Sequence, residues 1–264
     1  MFREWYLMEA DKQEKYLGDI GGETIDSYRR TLVIPAYNEE MRLGATLREY
    51  LGHFDRDTEL VVVLNGCHDR TGDVAVAFLD SNPNLRIIDE RGVVGKGGAV
   101  TMGFSRARGE IIGYVDADGA TSAAEIERLM NKIGDADGII GSRWVDKGVI
   151  IRKQSLFRRL ASRVFNFIVR TIFNLPYKDT QCGAKVFKRE AIDAVVGELG
   201  TTNLAFDVDL LYLMQKHGFV FKEVPTTWAD KEGSKICMRW AAPQMLGAVI
   251  RMRIKHSRFR DLMK

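Results

Sequence analysis

From residue 31 onward the chain alternates unbroken apolar runs with segments whose apolar residues recur at helical spacing. TLVIPAY (31–37), ELVVVLN (59–65), NLRIID (84–89), EIIGYVD (110–116) and ADGIIGS (136–142) read as strands. The segments 39–52, 71–81, 97–107 and 122–133 between them read as helices. Strands separated by helical stretches predict an α/β fold with a mainly parallel sheet and helices on both faces. The Val/Ile/Leu runs are continuous, as strands covered on both faces require. Beyond Arg143 the pattern changes to a long amphipathic helix over 152–173 and a loop, KDTQCGAKVF (178–187). Helices over 189–199 and 206–218, a strand FVFKEVP (219–225) and a basic C-terminal helix follow. The predicted organisation is an N-terminal extension over 1–30, one α/β domain over 31–235, and a basic amphipathic helix over 236–264.

Ligands of such sheets bind beyond the carboxyl ends of the strands. Polar and acidic groups collect there: Asn38-Glu39, Asn65 with Asp69, Asp89-Glu90, Asp116 with Asp118, and Arg143. The 264 residues are 45% hydrophobic, enough for a large core. Cys67, Cys182 and Cys237 are far apart with no CxxC, which fits a reducing cytoplasm rather than a disulfide scaffold. The charged first residues do not read as a signal peptide, and no apolar run approaches the ~18 residues of a membrane span. The net charge of +3 conceals basic stretches: no acid lies between Asp146 and Asp179, and after Glu232 the only acid is Asp261. Such stretches suggest a polyanionic partner, whether phosphates, nucleic acid or an anionic membrane face.

Asp116 and Asp118 place two like charges at the end of a core strand. A divalent cation or a shared proton relieves such a pair. Mg2+ and Mn2+ prefer oxygen and often take only one or two carboxylates, with phosphate oxygens completing the shell. A solvated turn that caps the next helix is the plainer alternative.

LVIPAYNEE, GVVGKGGAVTMGFSRARGEIIGYVDADGAT, IIGSRW and DTQCGAKVFKREA together resemble the family 2 glycosyltransferases of the GT-A fold. Within these they resemble most the dolichyl-phosphate (polyprenyl-phosphate) mannosyl- and glucosyltransferases. The resemblance runs from Thr31 to about Lys235 and implies an inverting hexosyltransferase. Its donor would be a UDP- or GDP-hexose and its acceptor dolichyl or polyprenyl phosphate. By that resemblance Pro35, Tyr37, Asn38 and Glu39 hold base and ribose, and Asn65 replaces an Asp at the base. Lys96 meets the diphosphate, although helix packing explains Gly97 and Gly98 equally well. Asp116 and Asp118 hold Mg2+ or Mn2+, and Arg143 faces the phosphates. Asp179 and Gln181 would contact the sugar, Asp209 the sugar or acceptor, and Cys182 would pack. For a lipid phosphate, already ionised at pH 7, no strong base is needed; a neutral hydroxyl would require one such as Asp209.

The helix over 152–173 carries Arg159 and Arg163 on one side and a broad apolar surface on another, a pattern shared by interfacial helices and by core helices with solvated basic faces. Arg159 and Arg163 are the candidate acceptor contacts there, and Lys231 with Ser234 would close over substrate phosphates. The acid-free composition favours an enzyme lying peripherally on the cytoplasmic face of a membrane. The alternatives are a glycosyl- or nucleotidyltransferase with a soluble acceptor, and a nucleic-acid-binding module. Basic stretches alone support the last, and it leaves the strand-tip carboxylates unexplained, so no nucleic acid is expected.

Overall fold

The computed structural model describes residues 28–145, 149–152, 156–203, 205–229 and 238–255. Five strands stand where the apolar runs placed them: β1 (Tyr28–Ala36), β2 (Thr58–Asn65), β3 (Leu85–Glu90), β4 (Gly109–Tyr114) and β5 (Gly138–Ser142). Helices α1 (Leu43–His53), α2 (Thr71–Val76), α3 (Gly95–Arg106) and α4 (Ala123–Asn131) follow the first four strands in turn. After β5 come β6 (Val149–Arg152), α5 (Leu156–Phe173), β7 (Lys185–Lys188), α6 (Arg189–Val195), α7 (Phe206–Lys216), β8 (Phe221–Pro225), β9 (Thr227–Ala229) and α8 (Met238–Lys255).

Among the described residues seven strands form one sheet in the order β3-β2-β1-β4-β7-β5-β8, and β6 pairs with β9. All pairings in the large sheet are parallel except those of β7, which runs antiparallel to both β4 and β5. The sheet has a core on each face, because alternate strand residues point to opposite sides. Val33, Val61, Val63 and Ile88 join one core; Leu32, Ile34, Leu60, Val62 and Ile87 join the other. Full burial of each such side chain contributes ~1.5–3 kcal/mol, so the central strands form a firm floor for their tips.

Several boundaries differ from the sequence reading. Tyr28, Arg30 and Thr31 already pair in the sheet, so the last residues of the expected extension belong to β1; residues 1–27 lie outside the described residues. Residues 40–42 form a turn and α1 starts only at Leu43. Val149–Arg152 is a strand rather than the start of the amphipathic helix. The expected loop KDTQCGAKVF ends in β7, whose register against β4 pairs Tyr114 with Lys185. The C-terminal helix packs on the rest of the fold: Ala248, Val249 and Met252 of α8 are buried in the core that also holds Val169 and Phe173 of α5.

Candidate active site

The site lies where the tips of β1, β2, β4 and β5 meet the segment entering β7. Antiparallel β7 brings its own N-terminal end to the same edge, so Cys182, Gly183 and Lys185 lie beside Asp116. Asp116 rests directly on Gly183: a Cβ there would collide with Asp116 Oδ2 and Cγ. Its other oxygen, Oδ1, lies 2.6 Å from Lys96 Nζ, which reaches in from the first turn of α3. The Asp116 side chain keeps 38% of its surface open to solvent. Burial pushes the Asp116 carboxyl up, but the charges of Lys96, Lys185 and Arg143 outweigh it and hold the group below the usual carboxylate range. Lys96 answers in kind: burial opposes its charge, and Asp116, Asp207 and Asp118 raise its pKa all the same.

Asp118 is held differently. Its Oδ1 accepts from Ala120 N at 3.0 Å, in a turn that Gly119 completes at φ 68°. Thr46 Oγ1 donates to Ala117 O (2.9 Å), Tyr50 Oη to Thr121 O (2.6 Å) and Ala229 N to Ala120 O (3.0 Å), so α1 and β9 brace the loop. Burial first, then the Asp116 charge, hold the Asp118 carboxyl above its usual range. Among the described residues no cation pairs with it; Arg42 acts only at a distance, its fork held by Glu39 at 2.6 and 2.5 Å.

Beneath lies a buried node that the sequence reading missed. Lys185 Nζ meets Asp207 Oδ1 at 2.5 Å, Cys182 O at 2.6 Å and Tyr114 Oη at 3.1 Å. The Tyr114 hydroxyl also donates to Asp207 Oδ1. The signal was a lysine inside the apolar run AKVF. Among the described residues Asp116 and Asp207 pair directly with Lys96 and Lys185, Arg143 and Arg42 act on the aspartates from farther off, and Asp118 has no ion-pair partner. Among the described residues no cluster of three His, Cys, Asp or Glu forms a complete metal cage. Two strand-tip carboxylates, one without a cation and one solvent-open, fit a hard divalent ion whose remaining ligands are phosphate oxygens.

Arg143 and Asp179, expected at phosphates and sugar respectively, hold each other. Arg143 Nε and N donate to Asp179 Oδ2 (2.8 and 2.9 Å), and Arg143 Nη2 donates to Oδ1 (2.9 Å). Asp179 is 0% exposed, so it positions Arg143 instead of touching a sugar. Burial disfavours the guanidinium, yet Asp179 keeps its pKa raised. Asp209, expected at the sugar or acceptor, is buried, and its Oδ2 accepts from Gly200 N (3.1 Å) and Thr201 N (2.9 Å), which anchors the loop before α7. Asn65 is buried with its Oδ1 taken by Val94 N (2.8 Å), so it fixes the entry to α3 and offers that oxygen to no base.

Gly97 N donates to Thr202 O (2.8 Å), and a Cβ at Gly97 would meet Phe206. Those glycines serve packing, and only the Lys96 side chain of that motif faces the centre. Glu39 is held by Arg42, with its amide on Thr71 Oγ1 (2.7 Å). Pro35 lies within β1, while Tyr37 just past its tip is exposed, as a stacking face requires. Gln181 keeps a buried Nε2 without a partner, which leaves a donor for a ligand oxygen. Arg163 is exposed, its guanidinium 5.0 Å from the Trp144 ring centroid. The Arg159 side chain, Lys231 and Ser234 lie outside the described residues. Cys182 is buried, and burial pushes its thiol up to about 11, as packing predicts.

The profile of glycosyl transferase family 2 matches residues 31–196. A dolichyl-phosphate beta-glucosyltransferase of Homo sapiens is 34% identical, over 96% of this chain and 83% of its own. One from Dictyostelium discoideum is 32% identical, over 88% of this chain and 76% of its own. Among solved structures, glucosyl-3-phosphoglycerate synthase of Mycobacterium tuberculosis with Mn2+, uridine diphosphate and glucosyl-3-phosphoglycerate superposes with a TM-score of 0.64. That match has 16% identity and covers 86% of this chain and 80% of the other.

Proposed function

Since this chain belongs to glycosyl transferase family 2, we propose that it moves a hexose, glucose foremost, from a nucleoside diphosphate sugar to a polyprenyl or dolichyl phosphate. The likeness to the dolichyl-phosphate beta-glucosyltransferases supports the acceptor and the hexose. The reaction class is supported by one observation above all: Asp116 and Asp118 lie just past the end of β4, and among the described residues Lys96 alone makes an ion pair with either of them. Bound there, Mg2+ or Mn2+ would supply Lewis-acid stabilisation of the departing diphosphate.

The chain's own groups do the rest. An oxygen of the acceptor phosphate attacks the anomeric carbon while the bond from that carbon to the diphosphate breaks. Negative charge grows on the leaving group, and Lys96 is placed to follow it by turning from Asp116 to the diphosphate. Arg143, fixed by Asp179, offers the guanidinium edge not held on Asp179. Tyr37 gives the base a face to stack on. The acceptor oxygen is already ionised at neutral pH, which agrees with a site where Asp209 is sealed away. Attack from the face opposite the diphosphate inverts the anomeric centre and yields a β-linked sugar.

Among the described residues no helix is long and apolar enough to cross a membrane. We place the enzyme peripherally on a cytoplasmic membrane face, an assignment supported by the basic, half-exposed helix α5. The decisive test is a panel of UDP- and GDP-hexoses incubated with polyprenyl phosphate and Mg2+ or Mn2+. Label should enter the organic phase with one donor. Label that stays in water on a soluble acceptor, with every donor tried, overturns the lipid assignment.

A further inference from the structure

A pocket of about 180 Å³ opens beside the strand tips, lined by Trp144, Arg163, Asn166, Phe167, Arg170 and Lys178. Neither Asp116, Asp118 nor Lys96 lines it. Arg163, Asn166, Phe167 and Arg170 recur at the three- and four-residue steps that put side chains on one helix face, so α5 supplies one wall. Trp144, just past β5, and Lys178, in the turn before β7, supply the other. Three of the six lining groups are cations and none is an acid. Among the described residues no carboxylate pairs with the side chains of Arg163, Arg170 or Lys178; the Lys178 amide donates to Glu223 Oε2 (2.9 Å). Asn166 is spent on the fold: its Oδ1 accepts from Thr180 N (3.0 Å) and Thr180 Oγ1 (2.7 Å). Trp144 keeps a buried indole N–H with no partner, a second donor in want of an acceptor.

The aromatic wall is held in place by a ladder. The Arg143 guanidinium lies 5.3 Å from the Trp228 ring centroid and 5.8 Å from that of Trp144, and the Arg163 guanidinium 5.0 Å from Trp144. Arg143 is itself clamped by buried Asp179, so one end of the ladder is fixed to the core while Arg163 reaches the pocket. Phe167, which also lines the pocket, is 70% exposed, and Val164 beside it on α5 is 50% exposed. These large apolar groups stand at a recess whose charged lining groups are all cations.

We propose that this recess is a seat for the headgroup phosphate of an anionic phospholipid, distinct from the place of the reacting phosphate, with Phe167 and Val164 entering the acyl boundary beside it. Charge complementarity selects the phosphate, and the exposed apolar pair selects a lipid over a free ion. A volume of that size takes a phosphate and a few waters at about 30 Å³ each. The seat would orient α5 along the membrane and present the adjoining strand tips to a lipid substrate. The inference rests on the proposed lipid acceptor only in that such an acceptor requires a membrane.

The test is sedimentation of the full chain with phosphatidylcholine vesicles, with and without phosphatidylglycerol. The wild type should sediment with the anionic vesicles, and the double variant Arg170→Gln/Lys178→Gln should bind them about thirtyfold more weakly, from two lost surface charges. Phe167→Ser should weaken binding without changing net charge. An equal-charge control, Arg48→Gln/Arg56→Gln on an exposed surface elsewhere, should bind like the wild type. Inorganic phosphate should displace the protein only weakly; full displacement would make the site a free-phosphate site and overturn the lipid assignment. Equal losses in pocket and control variants would also overturn it, since binding would then follow net charge. Turnover of the pocket variant on a polyprenyl phosphate too short to enter vesicles should match the wild type; loss there would assign the pocket to the reacting phosphate instead. Vesicle binding is scored apart from turnover, so failure of the glycosyl-transfer reading leaves this result standing.

Discussion

Lys96 Nζ sits 2.6 Å from Asp116 Oδ1, so the lysine holds one of the two oxygens that a divalent ion would need. Two like-charged aspartates at a strand end are thus tolerated in part by an internal ammonium. That ammonium would compete with a bound divalent ion until a diphosphate drew it away. Lys96→Met should lower kcat/KM about a hundredfold, near the ~3 kcal/mol of one lost electrostatic contact to a transition state. The same change should raise Mn2+ affinity without nucleotide, read from the electron paramagnetic resonance signal of free Mn2+. Burial alone would push the Asp116 carboxyl up, and Lys96 is the first charge holding it down. Removing Lys96 therefore shifts the acid limb of the kcat/KM profile to higher pH. A profile and a Mn2+ affinity that both stay put would dissolve the competition.

Asp118→Asn separates chemistry from stability. Turnover should fall at least about a hundredfold while the fold persists. Burial and Asp116 raise the Asp118 carboxyl. A carboxyl raised on folding favours the folded state while protonated, and that contribution is lost as pH rises through its folded value. At neutral pH the ionised group is a cost, so the amide variant should melt no lower than the wild type. A melting temperature several degrees lower would contradict this charge assignment.

The Arg143–Asp179 pair joins residues 36 positions apart in a site where Asp179 has no exposed surface. Asp179→Ala leaves a buried guanidinium unpaired and should destabilise the fold by about 3–5 kcal/mol. The double variant Arg143→Met/Asp179→Leu should recover much of that stability but not the activity. Denaturant unfolding of the wild type, Arg143→Met, Asp179→Leu and the double variant gives the coupling; additive losses would show the pair is not one unit.

Gly183→Ala tests the floor under Asp116. The new Cβ meets the carboxylate, not a flexible side-chain end on the surface. Asp116 must turn away, so the KM for the nucleotide sugar should rise and metal dependence weaken, with unfolding nearly unchanged. Metal titration of turnover checks this, and wild-type behaviour would mean the carboxylate has another resting place.

The first five strands were legible because their apolar runs are continuous and are separated by helical segments. β7 was not: it is four residues with a lysine at each end, KVFK, and its neighbours β4 and β5 come from far earlier in the chain. The start of α1 was misplaced because Asn38 takes φ 54°, a left-handed turn that a run of Glu and Arg does not betray. At the site, position at a strand tip exposed Asp116, Asp118 and Tyr37, and Lys96 followed from its place before a helix. The engagements of Asp179, Asp209 and Asn65 depend on tertiary partners that spacing does not encode. Acids of one type looked alike in sequence, and burial and tertiary partners sorted them into those open at the strand tips and those that hold the scaffold.

Because β7 is inserted between β4 and β5, a ribosome must pass Lys188 before the middle of the sheet can close. Until then Asp116 has emerged from the exit tunnel without Gly183 below it or Lys185 nearby. Translation that stops short of that point yields a polypeptide bearing every strand-tip acid yet no cradle to arrange them.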